Sequence, residues 1–179
     1  YSPDGTDALF PSRLGELFYA TETQGKLAPS PRIDARIARA SEEESMLDNP
    51  YRLRLLSLLG VKFVTDWSKN GLDFEKFVPV AQFDDWNIYE YSDALPRAFL
   101  TSNYVVEGDN QKILNAIFDG HGKRIVLEEE PAIRLRGEDG SASIETYTPN
   151  SVTIAVHPRE DTLLFLSDTH YPGWNAYID

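Results

Sequence analysis

The sequence contains no cysteine, so neither a disulfide framework nor a thiolate metal site holds this chain together. Cations are scarce: 17 Lys and Arg stand against 29 Asp and Glu, a formal net charge of −12. Neutralising a phosphate backbone needs clustered Lys and Arg, so nucleic acid is not an expected partner. An anionic bilayer surface is disfavoured on the same ground. Apolar runs are only a few residues long, as at Leu163 to Leu166, far short of the roughly 20 that span a bilayer. Catalytic signatures are missing too: G-x-S-x-G, H-E-x-x-H, a Walker-type loop, a dinucleotide fingerprint and Asp-x-Asp do not occur, and Gly120-His121-Gly122 is too short to be a phosphate cradle.

What the chain does have is the material for a core. Apolar residues make up 41%, including 3 Trp, 9 Tyr and 9 Phe, within 179 residues that suit one domain. Leu14, Leu17 and Phe18 recur at helical spacing, with Gly25 as a terminator. Residues 25–40, rich in Pro, Arg and Ala, read as a weakly packed excursion, and Ser41 with Glu44 has capping-box spacing before a short helical turn. Asn49 can cap a helix that Pro50 starts and Gly60 closes. Leu53, Leu55, Leu56, Leu58 and Leu59 fall within it, so its burial is expected to anchor the fold.

From Val61 the period changes to two. Strands are expected at 61–64, 77–83, 86–91, 98–106, 124–127, 133–135, 144–148, 152–156 and 162–167, with Asp84-Asp85 as a tight turn. One helix interrupts them, capped by Asp109 and carrying Ile113, Leu114, Ile117 and Phe118 on one face. The expected fold class is α+β: a helical N-terminal subregion over 1–60, then a mostly antiparallel, sandwich-like part over 61–179, forming one compact unit.

Chemistry-bearing residues are few. His121, His157 and His170 sit at turns or strand ends with no second His at i+2 or i+4, so a solvated role is expected and no metal or other cofactor. The runs Glu42 to Glu44 and Glu128 to Glu130 read as solvated faces, because consecutive glutamates do not converge across a cleft as a hydrolase requires. The most suggestive stretch is Asp168-Thr169-His170-Tyr171-Pro172-Gly173-Trp174, where aromatic rings adjoin hydrogen-bonding groups. Such rings either stack on sugar faces or plug a sheet end, and the two differ in ring exposure. The candidate carbohydrate contacts are therefore Asp168, His170, Tyr171 and Trp174, with Trp86 as an outlying addition. No catalytic residue is assigned.

Five segments carry a family resemblance. Arg54-Leu55-Leu56-Ser57-Leu58-Leu59-Gly60-Val61-Lys62-Phe63-Val64 is similar to the "RLLNLLGVKYVV" signature of bacterial YfhO-like membrane proteins. The stretch from Ile88 to Phe99 resembles their "VYENPNALPRAF", Tyr147 to Val152 their "Y-x-P-N-x-V" hairpin, and Ser167 to Tyr177 their "SDxYYPGWKAYVDG". The opening from Gly5 to Leu17 is similar to their "GYDPLxPKRYxEL" element. The segments occur in the family's order.

That resemblance implies a polytopic parent related to GT-C glycosyltransferases, which use polyprenyl-phosphate sugars outside the membrane. The catalytic acidic residues of such proteins lie beside their first transmembrane helices. This chain would then be a soluble extracytoplasmic, non-catalytic domain. Its implied partners are its own transmembrane region and a glycan or lipid-linked sugar acceptor, with self-association through an open edge strand as a further route. The chain starts at Tyr1 without an initiator Met and stops at Asp179, where the family continues through further strands. It is accordingly expected to be a segment of a longer protein, carrying a local insertion over residues 25–40.

Overall fold

The protein is described by a computed structural model over residues 12–27, 49–66, 75–135, 137, 140–170 and 173–178. The helical turn expected at 41–47, the excursion after residue 27 and the first part of the opening element lie outside these residues. The elements run α1 (Ser12–Glu22), α2 (Pro50–Leu58), β1 (Phe63–Asp66), β2 (Phe77–Phe83), β3 (Trp86–Tyr91), β4 (Ala98–Thr101), β5 (Tyr104–Val106), α3 (Asn110–Phe118), β6 (Ile125–Leu127), β7 (Ser141–Thr148), β8 (Ser151–His157) and β9 (Leu163–Leu166). The fold is α+β, with mostly antiparallel strands in several small sheets and no closed barrel among the described residues.

Helix α2 is the hub. The Asn49 side chain accepts from the amides of Tyr51 and Arg52, at 3.0 and 3.2 Å, satisfying donors that every helix start leaves open. Its amide group donates back to the Thr21 carbonyl at 2.7 Å, tying α1 to α2. At the far end Gly60 takes φ +64°, and the Gly60 and Val61 amides close on the Ser57 and Leu56 carbonyls. This is a Schellman turn, and only glycine enters that backbone region without strain.

The five leucines of α2 do not all do what the sequence suggests. Leu55 and Leu56 are buried, but Leu53, Leu58 and Leu59 are half-buried, while Arg52 and Arg54 are buried beside them. The Arg54 guanidinium donates to the carbonyls of Ile117, Gly122 and Arg124 at 3.1, 2.7 and 2.8 Å. It thereby caps the C-terminal end of α3 and the turn leading into β6. Burial pulls the Arg54 pKa down, and the nearby Tyr91 opposes that shift.

On the other side, Leu56 packs with Val64, Phe77, Tyr89 and Tyr91 of the three-stranded sheet β1-β3-β2. Phe77 and Tyr91 are cross-strand partners whose rings stack 4.7 Å apart. The Tyr91 hydroxyl donates to the Leu53 carbonyl of α2 at 3.2 Å. Removing this group from water, with Asp93 nearby, pushes its pKa up to about 12, against a smaller opposing effect of Arg54.

Two strand expectations are corrected. The run 98–106 is two strands, because the Thr101 hydroxyl accepts from the Asn103 amide at 3.1 Å and turns the chain between β4 and β5. These go to different sheets: β4 pairs with β9, whereas β5 pairs in parallel with β6, with α3 as the crossover. Residues 133–135 form no strand; Leu135 is buried but Ile133 is exposed, and no ladder partner lies beside them among the described residues. The remaining pair, β7 with β8, lies beside β4 through β7 and has no buried residue, so the strands form several small sheets and no sandwich core is seen among the described residues.

Two outcomes follow. Arg54→Gln is expected to lower unfolding free energy by about 3 kcal/mol or more, since charged-donor hydrogen bonds contribute about 1.5–3 kcal/mol each; Arg54→Lys should not restore it, because an ammonium lacks the planar fork. Denaturant titration measures both. For Tyr91 the folded-state pKa lies above the ordinary value of 10, so the unfolded chain loses that proton first as pH rises. Stability is fully present below about pH 10 and falls by the order of 2 kcal/mol on the way to pH 12. The Tyr91→Phe variant should show a flatter alkaline limb than the wild type over that window.

Candidate functional site

The β4–β9 pair ends where three distant segments meet. The Ser167 amide donates to the Arg97 carbonyl at 2.7 Å, adding a rung beyond the Ala98 and Leu166 pair. From there the Arg97 side chain reaches the Ser167 carbonyl at 3.3 Å and the Tyr147 hydroxyl at 3.2 Å. Its guanidinium also lies 4.7 Å from the centre of the Tyr147 ring and 3.6 Å from Asp168. The Tyr147 hydroxyl donates to one Asp168 oxygen at 2.5 Å, and the Thr169 amide donates to the other at 2.8 Å.

Local sequence explains each placement. Tyr147 stands opposite Val152 in the β7–β8 hairpin, whose turn is Pro149-Asn150 and whose neck is closed by the Thr148 hydroxyl on the Ser151 carbonyl at 3.0 Å. Arg97 follows the segment 91–95, which α2 holds through the Ser57 hydroxyl on the Asp93 carbonyl at 2.7 Å and the Leu95 amide on the Ser57 carbonyl at 3.1 Å. A Cβ at Gly60 would stand 3.1 Å from both the Leu95 carbonyl oxygen and the Arg97 Cγ. The glycine that ends α2 thus also makes room for the approach to Arg97.

The cluster is open to water: the Arg97 and Asp168 side chains are 44% and 28% exposed. Both Asp168 oxygens accept hydrogen bonds within the chain. That arrangement fastens the β7–β8 hairpin to the β4–β9 pair and leaves a polar, aromatic-backed surface.

Of the residues singled out from sequence, Asp168 lies at the centre of this cluster. His170 is exposed just beyond it, and Trp174 is 36% exposed in the following segment. Tyr171 lies outside the described residues. Trp86 is on a different sheet, at the β2–β3 hairpin, where it pairs with Phe83. Sequence reading missed Arg97 and Tyr147; the only signal for them was that each sits inside a segment resembling the same family.

Elsewhere, Ser102, Lys123, Ser141, His157 and Arg159 line an open depression of about 730 Å³. Gly140 borders it at φ +85°, and a Cβ there would stand 2.2 Å from the His157 carbonyl oxygen. All three histidines are exposed. Among the described residues, no three His, Asp or Glu side chains gather as a metal site. No family model, curated protein or solved structure matches the chain.

A double-mutant cycle of Arg97→Met with Asp168→Asn tests the cluster's strength. Because the pair is half-exposed, its coupling should be no more than about 1 kcal/mol. Denaturant titration is expected to show both variants folded.

Proposed function

We propose that this chain is the water-facing, non-catalytic domain of a YfhO-like membrane protein that acts on cell-envelope glycans. Its task in that reading is to hold an acceptor or cover the active-site mouth, while the reactive groups reside in the membrane part of the parent. The observation that carries the proposal is the convergence of three separate family-like segments on one cluster. Arg97 comes from the "ALPRAF" stretch, Tyr147 from the "Y-x-P-N" hairpin and Asp168 from the "SD…PGW" segment. Segments about 50 and 70 residues apart in sequence answer one geometric need, which is what a shared architecture requires. The non-catalytic part is supported by Asp168, whose two oxygens are engaged by Tyr147 and Thr169 and so are poorly placed to exchange a proton with a substrate.

A second reading, a carbohydrate-recognition module centred on Asp168, His170 and Trp174, is favoured by the exposure of the Trp174 ring. Calorimetry with cell-envelope oligosaccharides tests this second reading: binding lost about tenfold in Trp174→Ala supports recognition, and no heat with any glycan removes it.

The leading proposal is tested by fractionating cells that make the full-length gene product and assaying the purified chain with a polyprenyl-phosphate sugar. The parent is expected in the membrane fraction, and the purified chain is expected to neither transfer nor hydrolyse sugar. A freely soluble parent, or turnover by the chain alone, overturns the proposal.

A further inference from the structure

Among the described residues, the sheet β1-β3-β2 turns one of its faces to the core. Cross-strand partners share a face, so the register sorts the side chains. Val64, Tyr89, Tyr91 and Phe77 turn toward α2. The alternate rows, Phe63–Glu90–Val78, Thr65–Ile88–Ala81 and Trp86–Phe83, form the outer face. Phe63, Val78, Phe83 and Trp86 are 54%, 51%, 71% and 46% exposed.

We infer that this outer face is a docking surface for a protein segment with an apolar centre flanked by Lys or Arg. The inference is independent of the function proposed above. Charge complementarity selects this occupant. The chain carries −12, the hairpin tip is Asp84-Asp85, and the bordering cations Lys62 and Lys76 are neutralised by Glu90 at 3.2 Å and Asp93 at 2.6 Å. A cationic rim on the partner meets this acidic border, while its apolar residues cover the rings.

Other occupants fit less well. Three rings of about 150–250 Å² each, roughly half exposed, offer on the order of 300–400 Å², so two copies face to face would bury less than the ~1,200 Å² of a specific dimer. Like charge opposes that pairing further. A bilayer would have to receive Asp84-Asp85 with the hairpin tip. A glycan would find few hydrogen-bonding groups in these rows: Thr65, the Trp86 indole N–H and a Glu90 already held by Lys62.

The test is fluorescence anisotropy of a labelled peptide of alternating Leu and Lys titrated with the full chain. Peptides alternating Ser with Lys and Leu with Glu serve as controls. Binding at least tenfold tighter for Leu/Lys than for either control is expected. Phe83→Ser and, at the opposite end of the face, Phe63→Ser should each weaken it about tenfold at unchanged net charge, with circular dichroism confirming the fold. Asp84→Asn with Asp85→Asn should weaken it severalfold. Equal binding of Ser/Lys, or indifference to both Phe variants, overturns the inference. So does a dimer in sedimentation that Phe83→Ser disperses, or Phe83-dependent binding to phosphatidylcholine vesicles or chitohexaose.

Discussion

The buried guanidinium of Arg54 is the interaction on which the rest of the molecule depends. It donates to three carbonyls, at the end of α3 and in the turn before β6. A cation taken out of water is tolerated only when its donors are used, and the planar fork uses them in three directions. The same helix binds α1 through Asn49 and the three-stranded sheet through Leu56, with Tyr91 added by its hydroxyl. Four separate pieces of chain therefore take their positions from α2 and its cap Asn49.

Rigidity passes from that hub to the candidate site along a short path. The Schellman turn at Gly60 and the Ser57 contacts fix residues 93–95, which deliver Arg97 to the first rung of the β4–β9 ladder. Phe99 and Phe165, stacked 4.7 Å apart within that ladder, hold its core side. Arg97 can then meet Tyr147 and Asp168 without a large entropic loss of its own, since its backbone is already placed. The cluster is a weak fastening on a strong support, so its side chains can be altered without unfolding what carries them.

Much of this was legible in the sequence, and the failures have physical causes. Helix ends were readable because Asn49-Pro50, Gly60 and Asp109 are chemically specific for them. The β2–β3 hairpin was readable because period-two residues flank Asp84-Asp85. The split of 98–106 did leave a local mark, the polar run Thr101-Ser102-Asn103 that carries the Thr101 hydroxyl turn, but the β-branched and aromatic residues on both sides outweighed it. The parallel pairing of β5 with β6 was hidden because pairing partners leave no local mark. The burial of Arg52 and Arg54 leaves no mark in the leucine pattern, and tertiary carbonyls explain that of Arg54. At the site, Asp168 and Trp174 stood out by residue type, whereas Arg97 and Tyr147 acquired meaning only when the fold brought them to Asp168.

The structure thus has a dense helical hub, a small sheet whose outer face is apolar, and a β7–β8 hairpin fastened to the β4–β9 pair by one exposed polar cluster. Native-state hydrogen exchange followed residue by residue tests the hierarchy most directly. The amides of Leu59 and Tyr91, bonded to the Leu55 and Lys62 carbonyls, are expected to exchange only through global unfolding, while those of β7 and β8 open locally and sooner. Exchange of the α2 amides before those of the β7–β8 hairpin would contradict the central place given to Arg54 and its helix.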